Sequence, residues 1–170
     1  MDYDVHQVLQ LYLCIGGVPF YLKEVKKGLS AIQNINQMCF QKGSLLRDEF
    51  NNLYRALFNH AQMHEAIIKF VASKRGGVSR EEVESHLSVK GGTLTLWLKE
   101  LEQAGFLLAF TPWGKKQRGM FYKVSDEYTL FYLTWIDPAS SAQIGQELSA
   151  KYWEEIAQTP SLEKLGGICV

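Results

Sequence analysis

Covalent staples are scarce in this chain. Three cysteines stand among 170 residues, Cys14, Cys39 and Cys169, and no two fall at metal-ligand spacing. Cys14 and Cys39 lie inside apolar helical patterns, which predicts buried, reduced thiols. Long apolar runs are absent too: none approaches the ~20 residues that cross a bilayer. Residues 1–10 carry acids where a signal peptide has a basic region and an apolar core. The expectation is a cytoplasmic protein with no membrane partner. Charge of one sign is also lacking, because 18 Lys and Arg balance 18 Asp and Glu. Affinity for nucleic acid must therefore come from local clustering, not from the whole chain. No Gly-x-x-x-x-Gly-Lys-Ser/Thr occurs, and no apolar strand ends in paired acids, so a phosphate cradle and magnesium ligands are missing. Nor does any Ser/His/Asp or Cys/His set stand out by spacing. The chain is not expected to be an enzyme.

What is present is helical periodicity. With 46% apolar and 21% charged residues, the composition is that of a globular chain. Val5, Val8, Leu9, Tyr12 and Leu13 recur at three- and four-residue steps and predict a helix with that face inward. Gly16-Gly17 ends it and Pro19 starts the next, which carries Phe20, Tyr21, Leu22 and Val25. Ser30 is placed to cap a third helix through Ile32, Ile35, Met38 and Cys39. A fourth holds Leu45, Leu46, Phe50, Leu53, Tyr54, Leu57 and Phe58. Residues 1–60 thus read as a small helical bundle.

Residues 61–136 have another order. A helix through Met63, Ile67, Ile68 and Val71 stops at Gly76-Gly77. Ser79 with Glu82 makes a capping box for a second helix. A third sets Leu94, Trp97, Leu98 and Leu101 on one face and stops at Gly105. Two aromatic-rich runs, 106–110 and 120–124, flank a Gly/Lys-rich connection and predict one β-hairpin. Three helices then a hairpin is the order of a winged helix-turn-helix. Asp126 can cap an aromatic segment, 128–136. Residues 137–170 read as a linker through Pro138 and a last helix leading toward a further domain. The fold class is mainly α: a helical bundle, then a winged helix-turn-helix.

Several stretches resemble the region that follows the nucleotide-binding domain in archaeal-type and prokaryotic AAA-superfamily ATPases, near the STAND signalling ATPases. Gly16-Gly17-Val18-Pro19-Phe20-Tyr21-Leu22 resembles the Gly-Gly-x-Pro-x-x-Leu signature of their lid. Leu46-Arg47-Asp48-Glu49-Phe50 is similar to the helix after it. Gly91-Gly92-Thr93-Leu94, the run from Leu98 to Phe106, and Thr111-Pro112-Trp113-Gly114-Lys115-Lys116 resemble their winged domain. The resemblance covers about residues 5–165. It implies a non-catalytic coupling region whose partner is a P-loop ATPase domain missing from this sequence. ATP and magnesium belong to that domain, and this chain needs no cofactor of its own. It also implies a downstream nuclease-like domain, of which these residues hold no acids.

Four candidate sites follow. The loop of Gly16, Gly17 and Pro19 is either a lid element beside a nucleotide or a tight joint between helices. The winged segment is locally basic: residues 74–125 hold nine bases and five acids. Lys115, Lys116 and Arg118 stand at the hairpin tip, where a wing follows DNA phosphates. The presumed recognition helix turns Thr93, Thr95, Leu96, Lys99 and Gln103 outward, interrupted by Glu100 and Glu102. It lacks the arginine and asparagine that read base edges best, so double-stranded DNA and a protein partner both remain open. His60 and His64 have the i,i+4 spacing of zinc ligands but no third ligand, so no metal site is expected. The aromatic segment suits a core or interface better than a base-stacking platform. An alternative from another class is a free-standing winged-helix transcription regulator, whose bundle dimerises it or senses a ligand.

Overall fold

The computed structural model describes residues 3–112, 119–141, 149 and 151–157. It divides into two compact units: residues 1–50 with 134–170, and residues 51–133. No helix among the described residues is long and apolar enough to cross a membrane.

In the first unit, α1 (Val5–Ile15) starts on Asp4, whose carboxylate accepts from the Gln7 N–H at 2.8 Å. Its buried face is not the expected one. Leu11, Cys14 and Ile15 face inward, while Val5, Val8, Leu9 and Tyr12 are exposed. The helix is apolar on both flanks, so a three-to-four period cannot choose between them. Gly16 then closes α1, with φ 64° and ψ −168°, and its N–H donates to the Tyr12 carbonyl at 2.7 Å. Pro19 opens the single turn α2 (Pro19–Leu22).

The next helix, α3 (Ala31–Ile35), has a full capping box, Ser30 with Gln33, and runs on as a wider π-helical turn over Asn36–Phe40. Asn34 is fully buried and is satisfied by backbone around it. Its Oδ1 accepts from the Lys26 N–H at 2.8 Å, and its Nδ2 donates to the Tyr3 hydroxyl at 2.7 Å and the Lys26 carbonyl at 3.1 Å. A lone amide thereby pins the loop before α3.

The chain leaves the first unit within α4 (Leu45–Leu57) and returns to it within a second π-helical turn (Tyr132–Ile136), which α9 (Asp137–Ser141) follows. The sequence reads the stretch at Pro138 as a linker, but it is helical. The helical run is unbroken from residue 132 to 141, and Pro138 stands just after its π-helical turn, a place where the regular ladder is already interrupted. Finally α10 (Tyr152–Ala157) packs on α3 and the turn after it. The Trp153 N–H donates to the buried Asn36 Oδ1 at 2.8 Å, and its ring stacks on Phe40 with centroids 5.2 Å apart. Trp153 is buried, so that helix packs into the bundle core.

The second unit holds α5 (Ala61–Ala72), β1 (Val78–Ser79), α6 (Arg80–Leu87), α7 (Gly92–Gln103), β2 (Leu107–Phe110), β3 (Phe121–Val124) and α8 (Glu127–Phe131). The sheet has three strands, ordered β1-β3-β2 and antiparallel throughout. Leu107 pairs with Val124 and Phe110 with Phe121; Val78 pairs with Tyr122 on the other side of β3. The third strand corrects the expected two-stranded hairpin. Two residues are too short to show a period of two, and β1 shares Ser79 with the capping signal of α6. Its core gathers Ile67, Ile68, Val71, Val78, Val83, Leu94, Leu98, Leu101 and Phe106, all buried. Around it, Tyr54 lies 4.8 Å from Phe106, and Phe58 stacks on His64 at 4.1 Å, ring to ring. Three helices and a three-stranded antiparallel sheet in this order make a winged helix-turn-helix.

Candidate nucleic-acid interface

The site is assembled from α6, the turn after it and α7. Ser79 Oγ accepts from the Glu82 N–H at 3.2 Å, and Glu82 Oε2 accepts from the Ser79 N–H at 2.8 Å. Lys74 Nζ sits 2.7 Å from Glu82 Oε1. The lysine first, and then the Ser79 N–H, holds the Glu82 carboxyl below its ordinary value. The chain leaves α6 through Ser88, a left-handed non-glycine residue at φ 54°, and enters α7 through Gly91 at φ 73°. Such a reversal with a glycine is what joins the two helices of a helix-turn-helix.

Arg80 spans that joint. Its Nη1 donates to Glu84 Oε2 at 2.6 Å, while Nη2 reaches the Gly91 carbonyl at 3.1 Å and Thr95 Oγ1 at 3.4 Å. The Thr95 hydroxyl in turn donates to the Gly91 carbonyl at 3.3 Å. A guanidinium has five donors in a fixed fork, so one side chain can fasten α6 to the first turn of α7. Sequence reading misses this role. The i,i+4 spacing of Arg80 and Glu84 signals a pair within α6, but nothing local signals the reach to residues 91 and 95.

One face of α7 is committed to the core: Leu94, Trp97, Leu98 and Leu101 are buried. Thr93, Thr95, Leu96, Lys99 and Gln103 are exposed, as the periodicity predicts. The acids nearby are largely spoken for. Glu82 holds Lys74, Glu84 holds Arg80, and Glu100 lies 2.8 Å from His64 Nε2. Meanwhile Lys90, Lys99 and Lys123 are exposed. Around α6 and α7, three carboxylates thus meet partners within the fold, while Glu81 and Glu102 face solvent with the three lysines. Lys115, Lys116 and Arg118 lie outside the described residues.

The other candidates resolve plainly. Both ring nitrogens of His64 are engaged, Nδ1 with the His60 carbonyl at 2.9 Å and Nε2 with Glu100, and the side chain is 1% exposed. It is a satisfied core histidine. No cluster of three potential metal ligands occurs among the described residues. Phe131 of the aromatic segment is buried, with Tyr128 and Tyr132, while Leu133 and Trp135 are half-buried. At the Gly16-Gly17-Val18-Pro19 loop, the first glycine is buried and Gly17 and Pro19 are exposed. The conformation of Gly16 is one that a Cβ disfavours, so capping α1 accounts for a glycine there without a ligand.

No protein-family model matches the chain, and no curated protein matches it. Among solved structures, it is similar to MepR, a transcription regulator of the Staphylococcus aureus multidrug efflux pump MepA. The identity is 14%, over 71% of this chain and 87% of that one, with a TM-score of 0.43. A MepR mutant from a multidrug-resistant clinical isolate of S. aureus gives 17% identity, 70% and 83% coverage, and a TM-score of 0.44. At that level no residue role passes from those proteins to this chain.

Proposed function

We propose that the second unit binds double-stranded DNA, with α7 in the major groove. In this reading Thr93, Thr95 and Lys99 lie toward the bases and their flanking phosphates. Lys115, Lys116 and Arg118, in the connection between β2 and β3, meet the backbone beside them. The observation that carries the reading is the division of α7. Its apolar face is wholly consumed by the core, and its opposite face is exposed, flanked by exposed lysines and fixed at its first turn by Arg80. A helix held rigidly by its N-terminal turn, with that turn outward, is the arrangement by which such folds enter the groove. The protein acts by binding, and no reaction is assigned to it.

A transcription regulator and the coupling region of an ATPase would both use this face. The regulator reading asks nothing beyond the chain itself. The ATPase reading rests on the sequence resemblance, and it gives Gly16, Gly17 and Pro19 a place near a nucleotide held by another domain. Titration of the ¹⁵N-labelled chain with a duplex tests the shared claim. Amide shifts are expected at residues 92–99 and 115–118. Shifts confined to the first unit, or none at low salt, would overturn it.

A further inference from the structure

We infer that Leu96 is a specificity-determining residue that reads the C5 methyl group of thymine; the inference rests on the DNA-binding reading above. Leu96 lies one helical turn from the start of α7, on its outward face, and is 54% exposed. Its neighbours on that face are Thr93, Thr95 and Lys99. Thr95 is occupied: its hydroxyl donates to the Gly91 carbonyl and receives Arg80 Nη2. Gln103 is seven residues further along, about 10 Å at 1.5 Å per residue, and a recognition helix meets base edges mainly with its N-terminal residues. So the centre of the face that meets the bases holds an apolar side chain, with no arginine or asparagine beside it.

The major groove offers mostly donors and acceptors to such a residue. The thymine methyl is the apolar feature it presents, and contact with that methyl is one of the ways side chains discriminate base pairs. Elsewhere on a surface a single exposed leucine needs no explanation. Here it stands between an exposed lysine and the helix start, where charge draws the phosphates of a duplex and brings the methyl within reach. Leu96 therefore selects A·T pairs at its position by burying that methyl, and Lys99 secures the adjoining backbone.

The test compares two alternating duplexes, one of adenine and thymine and one in which every thymine is replaced by deoxyuridine. The two share backbone charge and hydrogen-bonding edges and differ in the methyl. Every register of an alternating duplex offers the residue a thymine, so no target sequence is needed. Wild type is expected to bind the thymine duplex about fourfold tighter, the value of one buried carbon. Leu96→Ala, a change at an exposed helical position that alanine suits, is expected to bind both alike. Equal binding of both duplexes by wild type would overturn the inference while leaving the DNA reading in place. The same methyl preference in wild type and Leu96→Ala would also overturn it, by assigning the preference to duplex shape or to the methyl groups of Thr93 and Thr95. Binding of neither duplex, even at low salt, would remove the DNA reading as well.

Discussion

Asp126 caps α8 by accepting from the Thr129 N–H at 2.7 Å. Burial nevertheless lifts its carboxyl above the ordinary value, against the pull of the hydrogen bonds from Thr129. A carboxyl raised on folding contributes most below its unfolded pKa, and that contribution is lost as pH rises through the folded one. Asparagine keeps an acceptor at the cap without the charge. The melting temperature of Asp126→Asn minus that of wild type should therefore grow as pH climbs from the acid range to neutrality. A difference that shrinks over that range contradicts this account. Arg80 and Lys99 make a second contrast. Arg80→Ala releases the first turn of α7, so duplex affinity should fall about tenfold with little change in salt dependence. Lys99→Ala should lower the slope of log affinity against log salt by about one unit, as a lost phosphate contact does. If Arg80→Ala lowers the slope as much, the arginine contacts phosphate and does not merely position α7.

At the scale of elements, the sheet depends on one close approach. Gly77 precedes β1 at φ +82°, and a Cβ there would stand 3.0 Å from the Tyr122 carbonyl and 3.0 Å from the Phe110 ring. Gly77→Ala combines a left-handed backbone with a clash, and should cost about 1–3 kcal/mol in urea unfolding. Gly105 is also left-handed, with nothing within 4 Å of a Cβ, so Gly105→Ala should cost less. Equal costs would mean that β3 yields without penalty. These elements were unequally legible. The capping box at Ser79 and Glu82, the buried face of α7, the cap at Asp126 and the hairpin pairing are local patterns, and each is in the sequence. The strand β1 is not, because a two-residue strand exists only through its partner β3. The inward face of α1 was also hidden: Leu11, Cys14 and Ile15 repeat with the same period as Val5, Val8, Leu9 and Tyr12. Only tertiary packing chooses between them.

At the scale of the molecule, the helical bundle leaves apolar surface uncovered. Val5, Val8, Leu9 and Tyr12 lie along one side of α1, and Phe20 and Leu22 follow on α2, all exposed. Exposed apolar patches of that kind mark interaction surfaces. The two readings differ in what covers this one, a second copy for the regulator and an ATPase domain for the coupling region. Sedimentation over a range of concentrations separates them. A reversible dimer, dissociated by Leu9→Glu, supports the regulator; a monomer at every concentration supports the coupling region. The outward residues of α7 were legible before the fold was, because a buried stripe at helical period defines its opposite. The reach of Arg80 to residues 91 and 95, the Lys74–Glu82 pair and the His64–Glu100 pair were not, since each depends on the angle between elements.

The most direct test of the central claim is binding to a fluorescent duplex as salt is raised, for wild type and for the combined Lys115→Ala, Lys116→Ala and Arg118→Ala variant. Wild type should bind at low salt, weaken linearly on log axes, and lose up to about three units of slope in the variant. Absence of binding at low salt, or a slope the variant leaves unchanged, would contradict the assignment of this winged helix to DNA.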